Sequence, residues 1–371
     1  MKNKFAVCLL FAVFSATIFA QAPEGYYNSA AGKSTSQLKT ALYQIIKNPD
    51  VTSYAGLWYS FMSTDERPDN PNHVWDMYSD VPNGNPPYIY EFQTDQCGSY
   101  SSEGDCYNRE HSFPKSWFGG EVSPMYRDLF HLYPSDGKVN GMRSNYPYGE
   151  VQSATWTSRN GSKLGSGKSS QGYTGTVFEP IDAYKGDFAR TYFYMATCYE
   201  NLFAGWIRNS EAVPMLAGNA YPGYKTWAVN LLLKWHRNDP VSQKEIDRNN
   251  VAYTIQNNRN PFIDYPELVE YIWGNQMDSE WQDTPTGIEN LKIELVLSPN
   301  PAQDELHISS DNPFQKYEIF NLGGQKILAG NLTSEKVIPV SSLQNGLYIL
   351  CLIAENQPSV MKKFAIRHNI R

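Results

Sequence analysis

Residues 106–145, CYNREHSFPKSWFGGEVSPMYRDLFHLYPSDGKVNGMRSN, hold two polar nodes separated by turn-forming residues. The first node is Arg109-Glu110-His111. The second is Lys138-Val139-Asn140-Gly141, with Arg143-Ser144-Asn145 behind it. Gly119-Gly120, Pro124 and the run Asp128 to Pro134 read as turns around short extended pieces. After Pro134, Ser135 or Asp136 is a natural N-cap, so the second node opens a helix. The stretch therefore predicts strand, loop, second strand, helix. Neighbouring residues on an extended backbone point to opposite faces, so Glu110 and His111 would serve different sides of the first strand.

These residue types suit one kind of chemistry. A carboxylate oxygen at Glu110 and an amide oxygen at Asn140 are hard donors. Two of them leave room for water and a substrate oxygen around Mg²⁺, with Mn²⁺ or Ca²⁺ as substitutes. The imidazole of His111, with an ordinary pKa of about 6.5, is suited to taking a proton from water near neutral pH. Together with nearby arginines, these are the parts needed for metal-assisted phosphodiester hydrolysis. A zinc peptidase is the weaker alternative, because the chain has no HExxH.

The strings NREHSFPKSWFGG and DLFHLYPSDGKVNGMRSNYPYGEV resemble the bacterial extracellular endonuclease I family. So do FEPIDAYKGDFARTYFYMATCYE and WHRNDPVSQKEIDRNNVAYTIQNNRNPFIDYPELVEYIWG, and the likeness spans roughly residues 25–280. A Glu-His pair alone is as much at home in a turn or a structural hydrogen bond, and Asn-Gly is a common turn. Long ordered strings carrying both nodes are a far more specific signal.

The resemblance implies a ββα-metal finger and secreted, sequence-nonspecific cutting of DNA, and of RNA too, to 5′-phosphate and 3′-hydroxyl ends. It implies Glu110 and Asn140 as ligands of one Mg²⁺ and His111 as general base. Arg127, Arg143 and Arg109 are the candidates for the catalytic arginine, the first two foremost, and Asn108, Arg109, Lys115 and Asn145 are the expected substrate contacts. The competing reading is a secreted nucleic-acid-binding or adhesion protein on an inactive nuclease fold. Two positions depart from the family pattern: Phe130 stands where Asp-Leu-His would end, and Cys198 stands where an arginine is usual.

Length and composition fit this frame. The 371 residues allow two domains, and 41% hydrophobic with 14% aromatic residues can fill a core. A formal charge of −7 argues against tight scanning of duplex DNA, though not against a local basic cleft. The start is positive through Lys2 and Lys4. An apolar run from Phe5 to Ala20 follows, and together they read as a signal peptide, residues 1–20. At about sixteen residues that run is short for a membrane span, so no stable membrane insertion is expected. Four cysteines follow the leader. Cys97 and Cys106 lie nine apart, close enough to form a disulfide after export, bracing the approach to Glu110. Cys198 and Cys351 fall in different predicted domains and are expected to stay unbridged.

Outward from the central stretch, helical spacing predicts helices over Ser36–Lys47, 184–201, Lys225–Trp235, 242–256 and 266–273. Tyr88–Phe92 reads as strand-like. Residues 150–176, rich in Ser, Gly and Thr, read as a solvated loop whose Arg159, Lys163 and Lys168 could touch a nucleic-acid backbone. His73, His131 and His236 read as packing residues, and Asp239, Glu245, Arg248 and Arg259 as ion pairs. The fold class is α+β, with a mainly helical domain at 21–281, a linker at 282–290 and a small β-sandwich at 291–371. In the sandwich, SPNPAQDELHI, IFNLGGQKI, LQNGLYIL and KKFAI resemble the C-terminal sorting domain of type IX secretion. That resemblance implies export through the periplasm, engagement of outer-membrane secretion machinery, and a secreted or cell-surface location. A monomer is expected.

Overall fold

The computed structural model describes residues 22–283, 295–310, 314–321, 326–333, 335–354 and 357–368. The predicted leader, most of the predicted linker and Gly323-Gly324, a predicted turn in the sandwich, lie outside the described residues. The chain divides into two compact units, residues 1–283 and 284–371. Helices and antiparallel sheets coexist in an α+β arrangement.

In the first unit, α1 (Thr35–Ile46) buries Leu38, Leu42 and Ile46, the stripe its sequence spacing predicts. Next come α2 (Leu57–Thr64) and a small pair, β1 (Glu66–Arg67) and β2 (Asn70–Val74). Residues 88–92 stay extended beside β2, exchanging Val74 N to Tyr90 O and Phe92 N to Asn72 O without becoming a regular strand. The central hairpin is β3 (Tyr107–His111) against β4 (Leu132–Asp136), and α3 (Gly137–Arg143) follows without a break.

Residues 150–176 correct the sequence reading. They form most of an antiparallel sheet of β5 (Val151–Thr157), β6 (Lys163–Gly167) and β7 (Thr176–Glu179). Residues 152–155 of β5 are all exposed, so this part of the strand lacks the apolar alternation that marks a strand in sequence. Backbone pairing to β6 supplies what periodicity does not show. Lys168 is tied to Glu150 at 3.1 Å, and the Arg159 guanidinium lies over Tyr88 at 5.0 Å.

The axis of the unit is α4 (Lys185–Cys198), buried at every position. A helix buried all round must be surrounded, and α4 is, by α1, α6 (Thr226–Asn238) and α8 (Pro261–Asp264). Between them come α5 (Glu200–Phe203) and α7 (Gln243–Gln256), which Ser242 and Glu245 start with a reciprocal capping box. α9 (Leu268–Trp273) follows α8. The polar residues of α4 are matched inside: Arg190 binds Glu245 and the Asp239 carbonyl, while Arg248 of α7 binds Asp65. His236 packs against Arg190 and Phe193. Trp281, 1% exposed, closes the unit by pairing its backbone with Gly32 and Lys33.

The second unit has two antiparallel sheets sharing one core. The first holds β8 (Val296–Ser298), β9 (Glu305–Ser309) and β12 (Val337–Pro339). The second holds β10 (Lys316–Asn321), β11 (Lys326–Asn331), β13 (Gly346–Ala354) and β14 (Gln357–Ile366). Leu306, Ile308 and Ile338 meet Ile319, Leu350, Leu352 and Phe364 inside. Tyr317 and Tyr348 are buried there too.

Candidate active site

The two polar nodes converge on the β3–β4–α3 unit. Asp136 caps α3 by accepting from Val139 N at 2.8 Å and also takes the Tyr90 hydroxyl at 2.6 Å. Glycines at 137 and 141 let Tyr100 lie against the helix, since a Cβ at either would fall 2.4–2.5 Å from its ring or hydroxyl. The backbone of Cys106 accepts from Gly137 N, and Cys97 is bonded to Cys106 with a Cα separation of 5.7 Å. The disulfide therefore braces the end of the hairpin where the helix begins.

One face of β3 carries Asn108 and Glu110, the other Arg109 and His111. Glu110 is 3% exposed, and its Oε1 accepts from Arg143 Nη1 at 3.0 Å and Tyr78 at 3.1 Å. No side-chain donor among the described residues reaches Oε2. Burial pushes the Glu110 carboxyl above its usual range, with Arg143 and Tyr78 pulling the other way. Asn140 donates through Nδ2 to Asn108 Oδ1 at 2.7 Å, which fixes its amide and leaves Oδ1 without a protein donor among the described residues. No group of three or more acidic, His or Cys side chains able to hold a metal occurs among the described residues. Two hard oxygens without side-chain donors among the described residues, on one supersecondary unit, suit a cation that keeps most of its shell from water and substrate, as Mg²⁺ does.

On the opposite face, the His111 ring stacks on Tyr126 (5.2 Å, 12°) and lies near-parallel to Tyr54 (6.1 Å, 16°). Its Nε2 lies 3.1 Å from the Tyr126 carbonyl. A carbonyl only accepts, so Nε2 carries the hydrogen and the neutral ring keeps its lone pair on Nδ1. Burial, then the nearby His131, hold the His111 pKa well below the usual value, so the ring is neutral at neutral pH. Arg109 is clamped between the Tyr54 and Trp58 rings, 3.7 and 4.3 Å away, and donates to the Tyr54 carbonyl.

The expected arginines fall in different places. Arg143 is 1% exposed and donates to Glu110, the His111 and Ser112 carbonyls and Tyr192. It sits beneath the site and its reach ends on Glu110. Arg127 is half-buried, with Nε on Ser123 and Nη1 on the Thr52 carbonyl, leaving Nη2 without a protein partner among the described residues. Lys115 lies over Tyr126 at 5.3 Å and faces Glu121 at 3.4 Å. Asn145, beyond the end of α3, accepts at its carbonyl from Trp117 Nε1.

Neither departure from the family pattern is in the site. Phe130 is a core residue 4.8 Å from Tyr194, while His131 holds the Met125 carbonyl at 2.6 Å and stands 5.5 Å from His111. Cys198 is buried against the Ile46 carbonyl, and Arg190 is committed to Glu245. Sequence reasoning missed Tyr78, Tyr54 and Tyr126. Tyrosine is abundant here, and nothing in local spacing separates these three from the other 23 of the chain's 26.

The chain is also similar to known proteins. The Endonuclease I family profile matches residues 34–267, and the profile of the secretion system C-terminal sorting domain matches residues 297–367. The chain is 36% identical over 258 residues to an extracellular ribonuclease of Bacillus amyloliquefaciens, covering 67% of this chain and 78% of the relative. It is 34% identical over 256 residues to an extracellular ribonuclease of Bacillus subtilis (strain 168), with the same two shares. A 136-residue segment is 25% identical to an Endonuclease-1 of Buchnera aphidicola, covering 37% of this chain and 44% of that relative.

Proposed function

From the premise that this chain belongs to the endonuclease I family and is a secreted nuclease with a sorting tail, we propose a metal-dependent endonuclease that cuts DNA and RNA with little sequence preference. The observation that carries this reading is the 3.1 Å contact between His111 Nε2 and the Tyr126 carbonyl. The Tyr126 carbonyl holds Nε2–H, so Nδ1 is a fixed, neutral base. The ribonuclease relatives support RNA as a substrate, and the Endonuclease-1 relative supports a general endonuclease.

Glu110 Oε2 and Asn140 Oδ1 are the atoms that would hold one divalent ion, Mg²⁺ in our reading. When bound, that ion supplies Lewis-acid stabilisation of the charge growing on the phosphate, a contribution of several kcal/mol. Arg143 and Tyr78 hold Oε1 of Glu110, which leaves Oε2 without a side-chain donor among the described residues. Asn108 does the same for the amide of Asn140. His111 is the last residue of β3, so a substrate backbone crossing that strand end would meet both faces, with Nδ1 taking a proton from the attacking water and the ring kept in place by Tyr126 and Tyr54. Arg127 Nη2, one peptide from the carbonyl that holds His111, meets the non-bridging oxygens. Lys115 and Arg109 add positive charge along the strand path. The departing 3′ oxygen takes a proton from solvent, and the phosphate stays on the 5′ side, so hydrolysis leaves 5′-phosphate and 3′-hydroxyl ends.

Plasmid and RNA nicking with and without EDTA tests the reading. We expect activity only without chelator. His111→Ala should lose roughly 10²–10⁴-fold in kcat while keeping DNA binding, and Glu110→Ala should be partly rescued by excess Mg²⁺. Full activity of His111→Ala would overturn the assignment of the base. Cutting that survives EDTA would overturn metal dependence.

A further inference from the structure

A cavity of about 300 Å³ opens directly beyond the end of α3. Its walls come from three separate segments: Ser144–Pro147, Tyr173 with Thr176, and Glu211 with Pro214. Two tryptophans fix the walls. Trp117 Nε1 holds the Asn145 carbonyl at 3.2 Å, and the Trp117 carbonyl takes Asn209 at 2.7 Å, tying the first wall to the chain leading into the third. Trp227 stacks on Tyr173 at 4.9 Å and 10°, and donates to the Pro214 carbonyl at 3.0 Å, tying the second wall to the third. The cavity is thus preorganised.

Its chemistry is specific in kind. Tyr146 is 41% exposed and makes no ring pair or side-chain hydrogen bond among the described residues. An open aromatic face beside a nuclease site is a stacking platform for an unpaired base. Glu211 is exposed and makes no side-chain hydrogen bond or ion pair among the described residues. A bare carboxylate repels phosphate, so the backbone is disfavoured there. It accepts instead from adjacent N–H donors, and among the bases guanine presents two in a row, at N1 and N2. Ser144 is only four residues past Asn140, about 6 Å along a helix axis. A base in the cavity would therefore belong to a nucleotide within a few residues of the cut.

We propose that this cavity is a nucleobase subsite, with Tyr146 stacking the base and Glu211 biasing it toward guanine in single-stranded substrates. The proposal rests on the nuclease reading above and deepens it, adding a modest preference to otherwise indifferent cutting.

The test uses the full secreted chain on a single-stranded oligonucleotide pool, with the product ends sequenced. Guanine should be enriched about fivefold or more at one fixed offset from the cut, the low end of what a bidentate base contact contributes. Glu211→Gln should flatten that enrichment, and Tyr146→Ala should raise KM more than it lowers kcat. In parallel, anisotropy in EDTA should show guanine-bearing oligonucleotides binding more tightly than their adenine counterparts, with the difference lost in Glu211→Gln. A flat profile around the cut in wild type overturns the subsite, as does a guanine preference surviving in Glu211→Gln. If no cutting occurs but the EDTA binding preference is present, the nuclease reading fails and the subsite stands.

Discussion

Arg143→Met should separate a brace from a catalytic arginine. The guanidinium has four acceptors in the interior: Glu110, the carbonyls of His111 and Ser112, and the Tyr192 hydroxyl. Ser112 keeps a second donor from Tyr192 at 2.9 Å. Among the described residues Glu110 keeps Tyr78 as its one side-chain donor, so the substitution leaves a buried carboxylate poorly compensated. Breaking a buried pair by removing one partner costs about 3–5 kcal/mol. At roughly 2–4 °C per kcal/mol for a unit of this size, the melting midpoint should fall by about 6–20 °C. Scanning calorimetry on the full chain reads this, with the nuclease transition identified by loss of nicking after heating through it. Combining Arg143→Met with Glu110→Gln should destabilise by at least about 1 kcal/mol less than the sum of the single changes, because the two groups share one interaction. A midpoint within about 3 °C of wild type together with lost turnover would refute the reasoning. Arg143 would then be touching substrate.

Other consequences are independent. Burial and Arg190 lower His236 to about 4, so the folded chain holds it neutral while the unfolded chain protonates it near 6.5. The stability this contributes is complete above pH 6.5 and is lost as pH falls toward 4, to the extent of roughly 3 kcal/mol; urea midpoints for His236→Gln should show a correspondingly smaller drop. A chain ending at Asp283 should fold and cut, whereas one ending at Met277 loses Trp281, which pairs with Gly32 and Lys33, and should be destabilised by about 3–5 kcal/mol in thermal melts. With few free cations near the site, the slope of log affinity against log salt should lie nearer −3 than −10, and titration of labelled duplex at several salt concentrations measures it.

Much of the site was legible in the sequence because its parts are local. Strand, turn, strand and helix are marked by Pro134, Asp136 and the glycines, and the ligand candidates and the base lie within about thirty residues of one another. The amphipathic helices α1 and α6 and the alternating strands of the tail were legible for the same reason, since their periods show which face is buried. The sheet at β5–β7 was not, because its first strand is largely exposed and is held by backbone pairing that leaves no hydropathy signature. The sequence could nominate Arg109, Arg127 and Arg143 together, but burial sorted them. One is clamped by Tyr54 and Trp58, one keeps a free nitrogen, and one is sealed under Glu110 by Tyr148 and Tyr192. Which nitrogen of His111 carries the proton depends on a carbonyl fifteen residues away, and the cavity beyond α3 on segments up to seventy residues apart. Such long-range contacts come from the packing of the whole unit, which no stretch of sequence read alone contains.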